Sequence, residues 1–219
     1  MMFQGDYQAL FAKVKSHLND GGSCHDFDHT LRVMHNAELL LASHPQADAQ
    51  TVMLAALLHD IARPEEDKSR GRKCHAAAGA AMVPEWLAEC KFPEELFAPV
   101  AAAVRTHRFR DKNEPETLEA DLVFDADKLD SLGAVGIGRA FLFAGHFNAR
   151  LHNTETEALN SESYSREDTA YREYLVKLRY LPRRMRTACG RKMAIERAAF
   201  MTAFFERMDS EINSGDKLL

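Results

Sequence analysis

Apolar positions recur along this chain with the spacing of helices. The first stripe, Tyr7, Leu10, Phe11, Val14 and Leu18, returns every three or four residues until Gly21-Gly22 breaks it. A second stripe, Leu31, Met34, Leu40 and Leu41, follows Asp26, which is suited to cap a helix, and runs to His44-Pro45. Asp48 can cap a third helix, whose residues 52–58 are apolar on every side. Such a helix belongs inside a core, and Pro64 is expected to end it. A charged loop is expected over 63–73, then helices over about 74–90, 94–107 and 117–133. In the second of these, Val100, Val104 and His107 share a face. Residues 148–166 are polar and read as a long loop, before closing helices near 167–180 and 186–212. Period-two runs of β-branched residues are scarce, and no Asn-Gly or Asp-Gly hairpin turn occurs. With no repeat, low-complexity tract or linker, the expectation is a single all-α domain over residues 1–219.

Composition narrows the function. The chain has 219 residues, 46% apolar and 28% charged, which fits a globular protein with one sizeable core. Its 28 Lys+Arg against 33 Asp+Glu give a net charge of −5, so no nucleic-acid polymer is expected as partner. No apolar run approaches the ~18 residues of a membrane span. The opening residues lack a signal-peptide pattern, which makes a cytoplasmic location the expectation. Cysteines 24, 74, 90 and 189 form no CxxC pair and read as reduced thiols. Against the overall charge, segment 63–73 carries Arg63, Lys68, Arg70, Arg72 and Lys73 but only Glu65, Glu66 and Asp67.

Candidate chemistry lies in the histidines. His59-Asp60 falls at the end of the most apolar helix, where two polar groups are costly unless hydrogen-bonded or bound to a metal. Taken alone, the pair is better explained by satisfied core histidines with capping aspartates; the two flanking segments reverse that reading. Two further candidates, His29 and Asp127, sit inside otherwise core-forming helices. Two imidazoles and two carboxylates without thiolate suit six-coordinate Mn²⁺, Mg²⁺ or Fe²⁺ better than tetrahedral structural Zn²⁺. Four protein ligands in an octahedron leave two positions for water and substrate.

The segments HDFDHTLRV, LLHDIARPEED, CHAAAGA, RTHRF and DADKLDSLGAVGIGRAF, in that order over about residues 22–145, resemble the HD-domain metal-dependent phosphohydrolases. The likeness is to their small single-domain bacterial branch, and LPRRMRTACGRKMAIERAAFMTAFFERM is similar to that branch's closing helices, here about 165–212. The resemblance implies an HD-type helical bundle with a metal at its centre, held by His29, His59, Asp60 and Asp127. It implies hydrolysis of a nucleotide or related small phosphate compound, foremost as a nucleoside-triphosphate pyrophosphohydrolase. The alternatives are a nucleotide phosphomonoesterase or phosphodiesterase, a di-iron oxygenase, or a non-catalytic nucleotide-binding protein. Mn²⁺ or Mg²⁺ is the expected cofactor, with Fe²⁺, Co²⁺ and Ni²⁺ as alternatives. His75 and His107 occupy the interval where two-metal members add ligands, and are alternatively substrate contacts. Glu65, Glu66 and Asp67 follow the His-Asp pair and are the acid/base candidates. Arg32, Arg63 and Lys128 are candidates for phosphate, as are Arg105, Arg108 and Arg110 around His107. Asp130, one turn beyond Asp127, suits support of a ligand. A monomer or homodimer is expected, without membrane attachment.

Overall fold

The computed structural model describes residues 5–19, 26–69, 72, 74–108 and 114–213. Among them the regular structure is entirely helical, without a strand: α1 (Tyr7–Asn19), α2 (Phe27–Leu41), α3 (Ala49–Leu58), α4 (Arg63–Lys68), α5 (His75–Glu89), α6 (Phe97–Thr106), α7 (Leu118–Asp130), α8 (Gly133–His146), α9 (Glu155–Asn160), α10 (Ala170–Val176) and α11 (Ala188–Asn213). Short 3-10 turns at Glu94–Leu96 and Leu178–Arg184 precede α6 and α11. Among the described residues no helix is long and apolar enough to cross a membrane. The chain forms two compact units, Met1–Asp127 and Lys128–Leu219.

In the first unit α3 is the centre. Its residues from Thr51 to Leu58 are all buried, and it packs on α1, α2 and α6. Burying a Val or Leu side chain such as Val52, Leu54, Leu57 or Leu58, each fully buried, contributes roughly 1.5–3 kcal/mol relative to exposure. The expected caps are in place. Asp26 accepts from the amide of His29 at 3.0 Å, and Asp48 from that of Gln50 at 3.0 Å. α5 packs closely on α6, helped by Gly79, where a Cβ would stand 3.5 Å from Val104 and 3.6 Å from Ile61.

One expectation is corrected here. α3 ends at Leu58, not at Pro64, and residues 59–62 form turns. Pro64 is instead the second residue of α4. A proline in the first turn of a helix lacks only an N–H that has no helical partner anyway. The segment from residue 63, expected as loop, therefore opens with a short helix.

In the second unit α11 packs on α8 and on the Leu178–Arg184 turn, while α10 packs on α8 and α9. Buried Phe205 stacks on Tyr174 at 4.7 Å between ring centres. The 148–166 stretch is not simply loop. Thr154 and Glu157 form a capping box that starts α9. Buried Asn153 donates to the carbonyl of Glu167 at 2.9 Å and accepts from the Thr169 hydroxyl at 2.8 Å.

Candidate metal centre

Two of the histidines are aimed by the same local device. His59 is the C-cap of α3 and His107 the C-cap of α6. Each donates its Nδ1–H to the carbonyl three residues back: His59 to Ala56 at 2.8 Å, His107 to Val104 at 2.6 Å. A helix end leaves such carbonyls without N–H partners, so the imidazole satisfies one and its Nε2 is left facing the other way. Both rings are buried. Burial pulls the His59 pKa down, with the Asp60 charge opposing. Burial, with His75 and His59 adding to it, holds His107 well below the ordinary histidine range. Neutral imidazoles with exposed Nε2 lone pairs are what a cation requires.

These nitrogens converge. His59 Nε2 lies 3.2 Å from His29 Nε2, and His29 Nε2 lies 3.5 Å from Asp127 Oδ1. On the other side His75 Nε2 lies 3.1 Å from His107 Nε2. Asp60 stands between the groups. Its Oδ2 is 3.7 Å from His29 and 3.6 Å from His59, while its Oδ1 is 3.1 Å from His75 and 3.8 Å from His107. Among the described residues, two three-residue sets could each hold a metal ion: His29, His59 and Asp127, and Asp60, His75 and His107. The four residues expected around one ion thus lie in one cluster with His75 and His107, all six within the first unit. Imidazole nitrogens and carboxylate oxygens packed this closely repel one another until cations separate them, so the donor set fits divalent ions.

The remaining sequence candidates divide. Glu66 is buried, and its carboxylate accepts from the Nδ1–H of His75. Arg108 donates to both Glu66 oxygens at 2.8 and 2.9 Å, and Arg63 approaches at 3.4 Å. Burial alone would raise the Glu66 carboxyl, but the bonds and charges of Arg108 and His75 hold it at about 2. Glu65 is exposed, and the Asp67 side chain lies outside the described residues. Arg32 is half-buried on α2, one turn past His29. Arg105 is exposed, and Arg110 lies outside the described residues. In the second unit Lys128 is half-buried and Asp130 is buried in an ion pair with Arg139 at 2.7 Å.

Sequence reasoning missed Asn36. Its side-chain amide, buried on α2, donates at 3.0 Å to the carbonyl of Ala126, the residue before Asp127. The signal was an amide two turns after His29 on the buried face of the same helix.

An all-helical fold gathering histidines and aspartates around a His-Asp pair defines a class, and residues 26–132 match the HD domain family; the chain belongs to that family. It is 32% identical over 203 residues to YpgQ of Bacillus subtilis (strain 168), covering 91% of this chain and 90% of that protein. A crystal structure of Bacillus subtilis YpgQ in complex with ADP superposes with a TM-score of 0.71 and 27% identity over 93% of each chain. A predicted HD superfamily hydrolase from an uncultured Thermotogales bacterium gives 0.66 and 29%, over 94% of this chain and 93% of that one.

Proposed function

We propose that this protein is a metal-dependent hydrolase of phosphate esters or anhydrides, acting on a nucleotide, foremost as a nucleoside-triphosphate pyrophosphohydrolase. The observation that carries the reading is Asp60, with one carboxylate oxygen toward His29 and His59 and the other toward His75 and His107. His29, His59, Asp127 and Asp60 would hold one ion, and His75, His107 and Asp60 would hold a second. Divalent ions held there supply Lewis acidity to a phosphoryl group and to the attacking water. The residues supply the rest. Nδ1–H bonds fix the imidazoles, the buried carboxylates set the charge of the site, and Arg32 is the side chain proposed to receive substrate phosphate. Glu66, already engaged by two arginines and His75, serves ligand orientation rather than proton transfer. Support for a nucleotide comes from the ADP complex of the YpgQ relative.

The test is a nucleotide panel assayed on Mn²⁺-loaded protein with phosphate and pyrophosphate detected separately. Pyrophosphate from a nucleoside triphosphate is expected, with Arg32→Ala raising KM at unchanged metal content. Phosphate alone would point to the monoesterase reading. A carboxylate shared between two nitrogen-rich ligand sets also suits a di-iron oxygenase. Anaerobic iron loading followed by electron paramagnetic resonance separates that reading, through a mixed-valent signal and oxygen consumption without hydrolysis.

A further inference from the structure

His75 differs from His59 and His107 in how its ring is aimed. It is the first residue of α5, so no helical turn precedes it to offer a carbonyl three residues back. Another acceptor must hold its Nδ1–H, and that acceptor is Glu66, a side chain from α4. The same carboxylate also receives the His75 backbone N–H at 3.4 Å. The Arg63 and Arg108 guanidiniums also approach Nδ1, at 3.1 and 3.0 Å, but Glu66 makes the shortest contact to it. Because an ionised carboxylate accepts only, the ring proton is assigned to Nδ1, with Nε2 toward Asp60 and His107. Glu66 is in turn fixed by the Arg108 guanidinium on both oxygens and by Arg63 on one.

The two ligand sets are also unequal. His29, His59 and Asp127 form a complete triad with Asp60 Oδ2 beside it, whereas the other set has only His75, His107 and Asp60 Oδ1. Two guanidiniums close to the poorer set disfavour a cation there.

We propose that Glu66 is the positioning residue for the second ion, and that the His75–His107–Asp60 set is a weaker, exchangeable cation site whose occupancy depends on the Glu66–Arg63–Arg108 clamp. The proposal rests on the two-ion reading of the cluster. Replacing a group that orients a metal-bound histidine typically weakens metal affinity about 10–100-fold.

Mn²⁺ titration by calorimetry, with bound metal counted by elemental analysis, tests this on the full chain. Wild type should bind two ions, the second more weakly. Glu66→Ala should weaken the second about 10–100-fold and leave the first unchanged. Glu66→Gln, whose amide oxygen can still accept from Nδ1–H, should fall between them. Nitrogen-15 histidine spectra of the metal-free chain give a second readout. The His75 Nδ1–H tautomer should dominate in wild type and Glu66→Gln, and lose its dominance in Glu66→Ala. Equal second-ion affinity in wild type and Glu66→Ala would overturn the proposal, as would loss of both ions from folded Glu66→Ala. A wild type that binds one ion would overturn the two-ion reading, while the tautomer spectra still decide whether Glu66 positions His75. Should Glu66→Ala fail to fold, Glu66→Gln carries the test: a second-ion affinity equal to wild type, with an unchanged tautomer on weakening its arginine contacts through Arg108→Met, overturns the clamp.

Discussion

Replacing Asn36 with leucine, a side chain of similar size without polar atoms, should weaken metal binding at Asp127, a proposed ligand on another helix. The Asn36 amide and the Ala126 carbonyl are 3.0 Å apart in a buried setting. A buried hydrogen bond of this kind contributes about 1 kcal/mol net, and a carbonyl left without a partner costs about 1–3 kcal/mol. Ala126 lies inside α7, so its carbonyl is within reach of the helical amide of Asp130 and does not lose every partner. The loss should therefore be at the low end, roughly 1–2 kcal/mol, read as a lower urea midpoint for the metal-free chain at unchanged m-value. The larger effect should fall on metal binding. The bond ties the helix carrying Asp127 to the helix carrying His29, and Asp127 Oδ1 must meet His29 Nε2 across 3.5 Å. Loosening an orienting contact of that kind should weaken Mn²⁺ about 10–100-fold in calorimetry, on the first ion and not the second. Unchanged affinity together with unchanged stability would refute the reasoning, because it would mean that the tether carries no load in solution.

Asp60→Ala should lose both ions in elemental analysis and all hydrolysis while keeping its helical circular dichroism, since one carboxylate serves both ligand sets. Gly79→Ala should be neutral or raise stability by up to about 1 kcal/mol, because its Cβ meets Val104 at an ordinary 3.5 Å. Gly136→Ala should cost at least about 2 kcal/mol in thermal melts, because its Cβ would stand 2.3 Å from the Ser131 carbonyl oxygen. Glu66 is held at about 2 against an ordinary 4.5. A carboxyl depressed by folding adds stability above its unfolded value and loses it as pH falls toward the folded one. In the metal-free chain, wild type should therefore exceed Glu66→Gln by at most roughly 3 kcal/mol at neutral pH, and the gap should close between about pH 4.5 and 2; a gap that does not change with acid would contradict this.

How much of this was legible in the sequence depends on whether the signal was local. α2 and α3 could be read from their capping aspartates and stripes, because those forces act within one turn. The Pro64 boundary could not, since proline both ends and begins helices and only the turns at 59–62 decide which. α9 was readable in principle: Thr154 and Glu157 stand at capping-box spacing, but the polar stretch around them masked it. In the centre, the His59-Asp60 pair and its distant companions came from pattern and resemblance. The division of labour among them did not. Whether Asp60 faces one set or two, and that Glu66 turns toward His75 rather than toward solvent, depends on contacts across 9 and more residues, which composition and periodicity do not encode. Asn36 belongs to the same class, bonding across 90 residues.

The centre gathers its ligands from separate stretches of chain: His29 and His59 are 30 residues apart, His75 and His107 are 32. An ion that grips both ends of such a stretch closes it into a ring. Unlike a disulfide, such an ion leaves when the chain unfolds, so its stabilisation would come by mass action, about 2.7 kcal/mol at a free ion concentration of 100 times Kd. A chain without CxxC pairing would thus have a reversible substitute for a covalent cross-link, one that a chelator removes. Resistance to proteases should then follow the free concentration of the ion, linking the lifetime of the protein to the metal supply around it.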